Sequence, residues 1–272
     1  MTSSINHNFE VIIIGSGGAG LMAALSCASQ GIKNVAVISK VFPTSSHTVA
    51  AKGGINAALG NVSDDNYSWH CFDTIKGSDY LADHDAVEFM CKQAPQTIID
   101  LENMGVVFSR NDAGKIDQRA YGGQKTNFGK GVLAHRACFS KDRTGHTILQ
   151  TLYQQCLQKG VKFFNEFFVT DLLMSENNNR EASGILHCVK NKKQCFGALA
   201  IDLESGKLNI FKSKITILAT GGYGQIYRHN TSSDICTGDG NALILKENLE
   251  LQDMEFIQFH PTSLYGSGLL IS

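Results

Sequence analysis

Residues Phe9-Glu10-Val11-Ile12-Ile13-Ile14 form a short, β-branched and almost wholly apolar run, the pattern of a strand buried on both faces in a parallel sheet. A glycine-rich turn follows. Small and apolar residues then predict a helix from Leu21 to Gln30, with Gly31 placed to cap it, and a second apolar run at Val35–Ile38 predicts the next strand. Strand, turn, helix and strand in that order define a βαβ unit. Farther on, Val87, Met90, Ala94, Ile98, Leu101 and Met104 recur at mostly three- and four-residue steps, which predicts a helix over 85–104 with one buried face. The same periodicity predicts a helix from Thr144, as N-cap, to Lys159, stopped by Gly160. Between 161 and 220 the pattern turns strand-like at Val161–Val169, Gly184–Val189 and Ile215–Ala219, while the polar stretch Ser175–Arg180 reads as a solvated turn.

Composition narrows the classes of function. With 272 residues, 43% of them hydrophobic, the chain can bury a substantial core. Its 24 basic and 25 acidic residues balance to a net charge of -1, which gives no electrostatic reason to expect a nucleic-acid partner. The eight cysteines never fall at C-x-x-C spacing, so they read as free thiols rather than metal ligands, and no metal site is expected. Met1–Asn8 contains no arginine and no secretory apolar region, which suggests a bacterial cytoplasmic origin rather than a presequence. No apolar run reaches the ~18 residues a spanning helix needs.

The turn after the first strand reads Gly15-Ser16-Gly17-Gly18-Ala19-Gly20 and fits G-x-G-x-x-G at the start of a helix. In that context the first glycine permits the tight turn, the second lets the backbone approach a pyrophosphate, and the third lets helix and strand pack closely. The helix N-terminus favours the phosphate charge. At the end of the second strand a ribose-binding carboxylate is expected about 20 residues on, but Ser39 and Lys40 stand there. A lysine cannot accept hydrogen bonds from ribose hydroxyls, so a simple NAD-binding domain is disfavoured.

The stretch Ser39-Lys40-Val41-Phe42-Pro43-Thr44-Ser45-Ser46-His47-Thr48-Val49-Ala50-Ala51-Lys52-Gly53-Gly54-Ile55 resembles the flavin-attachment segment of succinate dehydrogenase and fumarate reductase flavoproteins. The resemblance continues through Trp69-His70-Cys71-Phe72-Asp73-Thr74, Asp142-Arg143-Thr144-Gly145-His146, Leu218-Ala219-Thr220-Gly221-Gly222, Thr237-Gly238-Asp239-Gly240 and Gln258-Phe259-His260-Pro261. It implies an α/β fold: an FAD-binding Rossmann-like domain over 1–254 with a partial β-rich insertion, and only the start of a capping domain over 255–272. It implies FAD bound covalently through His47, with Ser46, Thr48, Gly53 and Gly54 beside it, Thr220 and Gly221 in a second dinucleotide signature, Asp239 on the ribitol, and the Val169 backbone near the adenine. Toward a dicarboxylate substrate it implies His260 and Ser272. The family's proton-accepting arginine lies beyond Ser272, so weak or no turnover is expected from this chain alone.

Some residues depart from the family pattern. Ser45 replaces the arginine of P-T-R-S-H-T, Lys52 replaces a glutamine, and Ala120-Tyr121-Gly122-Gly123 stands for P-F-G-G, placing a hydroxyl where a plain ring faces the substrate cavity. The implied reaction is succinate oxidation to fumarate, with electrons passed to an iron–sulfur subunit and on to quinone. Membrane anchor subunits and a flavin assembly factor are the further partners, and the cytoplasmic face of a bacterial inner membrane is the place. Alternatives are a fumarate reductase flavoprotein, a non-catalytic flavin-binding remnant, and an L-aspartate oxidase-like enzyme, against which the S-H-T histidine argues.

Overall fold

The structure is a computed structural model that describes residues 4–176, 193–260 and 264. The chain divides into two compact units, one of Met1–His47 with Leu152–Ser272 and the other of Thr48–Thr151.

In the first unit, β1 (Ile5–Ile14) lies between β2 (Val35–Ser39) and β9 (Leu208–Leu218), all parallel, as the double-sided apolar run requires. Helix α1 (Gly18–Ser29) connects β1 to β2, completing the βαβ unit. Gly31 lies past its end at φ +94°, the left-handed conformation expected of a helix stop. The strand-like run at 161–169 is not one strand. Glu166, at φ +62°, breaks it into β6 (Lys162–Asn165), parallel to β2, and β7 (Phe167–Glu176), antiparallel to β8 (Lys193–Asp202), which in turn pairs antiparallel with β9. Ser175 belongs to β7 rather than to a turn, and 177–180 and Gly184–Val189 lie outside the described residues.

The resulting strand order among the described residues is β6-β2-β1-β9-β8-β7. In a flat sheet its two edges would be about 24 Å apart, at ~4.8 Å per strand. Yet β6 and β7 are joined through Glu166 alone, a step of at most ~7 Å. The sheet therefore curls, and its concave side is filled by Phe9, Ile12, Ile14, Ile38, Val169, Leu172 and Phe211. Phe164, Phe167 and His7 close that core in edge-on and stacked contacts with Phe211.

The second unit holds β3 (Ile55–Asn56), α2 (Tyr67–Gly77), α3 (His84–Met104), β4 (Gln118–Lys125), β5 (Leu133–Cys138) and the start of α4 (Thr144–Gln158). Asn66 caps α2 and Asp83 caps α3 through their side chains, and Gly105 at φ +112° ends α3. On α3, Val87, Ile98 and Leu101 are buried as their spacing requires, but Met90 is exposed and Cys91 takes its place. Three and four residues past Val87, Met90 and Cys91 lie about 60° and 40° to either side of it, so spacing alone barely separates them. Thr144 does not act as expected at the α4 N-terminus. Its hydroxyl accepts the Ser140 N–H at 3.0 Å, tying the preceding loop. Gly160 does stop α4, with the Val161 N–H reaching back to the Cys156 carbonyl.

One ion cluster in the second unit is fully enclosed. Arg136, with no exposed side-chain surface, grips Asp65 at 2.7 and 3.0 Å and Asp73 at 2.5 Å, and donates to the Lys125 carbonyl at 3.1 Å. His70, 5% exposed, sits beside it with no partner for Nδ1. Burial and then the Arg136 charge push its imidazole below the ordinary value, against the opposing pull of Asp65 and Asp73.

Candidate functional site

Backbone hydrogen bonds bring the C-terminal ends of three parallel strands side by side. The Gly15 N–H donates to the Ile38 carbonyl at 2.8 Å, and the Ala219 N–H donates to Ile14, also at 2.8 Å. The glycine turn is packed to its limit. Gly15 has φ +111°, and a Cβ there would lie 2.2 Å from the Ala219 carbonyl oxygen; a Cβ on Gly20 would lie 2.0 Å from that of Gly15. The first and last glycines of the motif thus do what the sequence assigns to them. Gly17 precedes α1 in an extended conformation with no side-chain cap, so Gly18, Ala19 and Gly20 form an opening turn suited to an anion.

Polar side chains ring this edge. The buried Ser16 hydroxyl donates to the Ser39 hydroxyl at 2.7 Å. Lys40 Nζ lies 2.6 Å from Thr237 Oγ1 and 2.5 Å from Asp239 Oδ2, and the Thr237 hydroxyl donates to Asp239 Oδ1 at 2.7 Å. Asp239 opens α5 (Asp239–Lys246), where its charge suits the helix N-terminus. Thr220, just past β9 and before Gly221, stands against the next residue, since a Cβ on Gly240 would meet its Oγ1 at 2.0 Å. Lys40 and Asp239, 199 positions apart in sequence, therefore converge, with Thr220 against the residue next to Asp239. Asp239 with Thr237 supplies the oxygen acceptors that Lys40 cannot.

His47 closes the group from the 3-10 turn after Pro43–Ser45. Its Nδ1 lies 2.9 Å from Cys236 Sγ. Burial pushes the Cys236 thiol up from its ordinary value, so it is a neutral thiol at physiological pH. The segment 236–239 thus touches His47 at one end and Lys40 at the other. Thr237 lies inside a motif the sequence already displays. Cys236 carried no sequence signal, being one of eight scattered cysteines.

Other sequence candidates are placed differently. Val169 lies in β7, buried and paired with Ala200 next to a register shift. His260 is exposed, and its backbone N–H donates to Thr231 Oγ1 at 3.1 Å; Ser272 lies outside the described residues. Thr48, Gly53 and Gly54 belong to the second unit. There the Ala51 N–H donates to the Thr48 carbonyl, and the Tyr121 hydroxyl donates to the Gly53 carbonyl at 2.9 Å. The hydroxyl that replaces a plain ring thus holds a backbone carbonyl. Burial lifts the thiols of Cys138 and Cys156 to about 12, which makes them inert core residues. Among the described residues no cluster of His, Cys, Asp and Glu is arranged to hold a metal, and no helix is long and apolar enough to cross a membrane.

A glycine turn at a helix N-terminus, a neighbouring strand end and a second helix opening on a carboxylate define a dinucleotide-binding flavoprotein fold. Residues 10–272 match the FAD binding domain family, and the chain belongs to that family. It is 52% identical over its full length to the succinate dehydrogenase flavoprotein subunit of Rickettsia bellii, covering 43% of that protein. It is 48% identical over 98% of its length to the mitochondrial succinate dehydrogenase [ubiquinone] flavoprotein subunit of Oryza sativa, covering 40% of it. Among solved structures, an E. coli quinol fumarate reductase flavoprotein chain superposes with a TM-score of 0.86 at 35% identity, over 98% of this chain and 42% of that one. The chain thus spans less than half the length of the relatives it matches.

The residues present fit FAD. The closely packed turn of Gly15 and Gly20 leaves backbone toward a pyrophosphate, and Asp239 with Thr237 offers acceptors for sugar hydroxyls. Two buried polar atoms in this unit, Ser46 Oγ and Asn165 Oδ1, have no partner in the protein, and both stand near strand ends or the His47 turn: Asn165 pairs with Ser39 in register, and Ser46 precedes His47. Buried polar atoms are otherwise nearly always satisfied, so a polar ligand is the natural partner for both.

Proposed function

We propose that this chain is the FAD-binding part of a succinate dehydrogenase flavoprotein subunit, with the flavin held covalently through His47. FAD supplies the hydride acceptor for oxidising succinate to fumarate. The protein residues position it: the Gly15–Gly20 turn and α1 hold the pyrophosphate, Ser39 and Lys40 line the strand end, Thr220, Gly221 and Asp239 hold the ribitol side, and Val169 the adenine side. Ser46, Thr48, Gly53 and Gly54 are the further cofactor-binding residues that the resemblance implies, and His260 and Ser272 those for the dicarboxylate. In this reading 1–254 is the FAD domain and 255–272 begins a capping domain. Electrons leave to an iron–sulfur subunit and a quinone through a complex with membrane anchors, peripheral to the cytoplasmic side of a bacterial inner membrane, and a flavin assembly factor serves attachment.

The observation that carries this reading is the meeting of Lys40, Asp239 and His47 through the single segment 236–239 beside the glycine turn. A fumarate reductase is the second reading, favoured by the 0.86 superposition, but among curated relatives the succinate dehydrogenase flavoprotein subunits of Rickettsia bellii and Oryza sativa are more similar in sequence, at 52% and 48%, than the fumarate reductase flavoprotein subunit of Proteus vulgaris, at 38%. Denaturing electrophoresis of the purified chain under ultraviolet light, followed by intact mass, tests the flavin assignment. Fluorescence and an added FAD mass that disappear in His47→Ala are the expected outcome. Full FAD retention in His47→Ala after denaturation would sink the assignment of His47.

A further inference from the structure

We infer that Cys236 is the positioning residue for flavin attachment: by engaging His47 Nδ1 it leaves Nε2 as the nitrogen that bonds the ring methyl. The inference rests on the covalent reading above and deepens it. The contact is specific in geometry, with Nδ1 2.9 Å from Sγ. The backbone of Cys236 is also held on both sides. The Cys236 N–H donates to the Ser233 carbonyl at 2.9 Å, and the Cys236 carbonyl accepts the Gln225 N–H at 3.0 Å, so the backbone that carries the thiol is pinned. The Gln225 side chain in turn donates to the Ser232 carbonyl at 3.0 Å, fixing the loop from below. Three residues on, Asp239 is anchored by Lys40. The imidazole, by contrast, sits on a short 3-10 turn and is exposed, so its own backbone does little to choose a rotamer. A neutral imidazole carries its proton on one nitrogen and a lone pair on the other, and the partner of one nitrogen sets the role of the second. The contact itself assigns no proton; the inference takes the tautomer in which Nδ1–H donates to the sulfur, which places the lone pair on Nε2.

Attachment replaces one C–H bond of the flavin 8α-methyl by a C–N bond to Nε2. The methyl hydrogen and the imidazole hydrogen leave as protons and are taken up by the ring, which retains the two bonding electrons and is thereby reduced. Dioxygen then removes two electrons and two protons as hydrogen peroxide, returning the oxidised ring. Cys236 is neither oxidised nor alkylated in this sequence.

The test compares wild type, Cys236→Ala and Cys236→Ser, each loaded with FAD. Absorbance after desalting reports total bound flavin, mass after acid denaturation reports the covalent fraction, and proton NMR of the flavin peptide reports which nitrogen is bonded. Losing one orienting hydrogen bond should slow attachment by about tenfold in Cys236→Ala while bound flavin persists. The residual product should contain both Nδ1 and Nε2 linkages, and Cys236→Ser should restore rate and selectivity. Wild-type attachment with Nε2 linkage alone in Cys236→Ala would overturn the inference, as would a Cys236→Ser protein that binds FAD normally but fails to attach it. If Cys236→Ala does not fold, the serine variant decides. Absence of covalent flavin from wild type would instead refute the His47 reading, and this inference with it.

Discussion

Replacing Arg136 by methionine would strand two carboxylates that the fold has removed from water. The guanidinium has no exposed side-chain surface, Asp65 has none either, and Asp73 keeps 6%. Three of its hydrogen bonds go to those carboxylates and one to the Lys125 carbonyl, while the Lys125 N–H donates back to Asp73 at 2.8 Å. Methionine matches the length of the stem but satisfies none of these acceptors. Removing one member of a buried pair costs about 3–5 kcal/mol, a large share of the 5–15 kcal/mol that holds a domain together. Urea denaturation followed by circular dichroism measures the loss. Most of it should come from stranded charge rather than from lost volume, so adding Asp65→Asn and Asp73→Asn to Arg136→Met should recover at least half. A loss below about 1 kcal/mol, or no recovery in the triple variant, would show that water reaches the cluster and that the reasoning is wrong.

Two other outcomes follow from the same chemistry. His70 is held below its ordinary 6.5 by burial and by Arg136, so the unfolded chain binds a proton that the folded chain refuses. Stability should fall as pH drops below about 6.5, by at most ~1.4 kcal/mol per pH unit until the folded value is reached, and His70→Gln should remove that slope in thermal melts at pH 5–7. Gly20→Ala sets a methyl 2.0 Å from the Gly15 carbonyl oxygen and should open the glycine turn. A strain of about 1–3 kcal/mol, if relieved by shifting the turn, weakens FAD affinity roughly tenfold or more by titration calorimetry, and unchanged affinity would mean that the turn is not where the cofactor binds.

Much of the nucleotide half was legible because its signals are local. A β-branched run, a glycine hexad and a helix of small residues each specify backbone geometry within a few positions, so β1, the turn, α1 and β2 stood in the sequence nearly as they fold. The long resemblance to flavoproteins likewise singled out His47, Thr220 and Asp239 without any structure. Misreadings arose where periodicity met a tertiary constraint. Val161–Val169 reads as one strand-like stretch, interrupted by Lys162, Asn165 and Glu166, and nothing in it shows that the step through Glu166 joins opposite edges of a sheet. Met90 and Cys91 are equally apolar, and only packing decides which of them turns inward.

What the sequence by itself determined was carried by short segments: the glycine turn, the FAD-binding class and the histidine proposed to bear the flavin. The tertiary structure alone decided which distant groups meet, because long-range contacts depend on how the sheet curls and no spacing along the chain encodes them. Lys40 therefore found Asp239, His47 found Cys236, and Arg136 gathered Asp65 and Asp73 out of water, each from a position whose neighbours in sequence gave no sign of the partner.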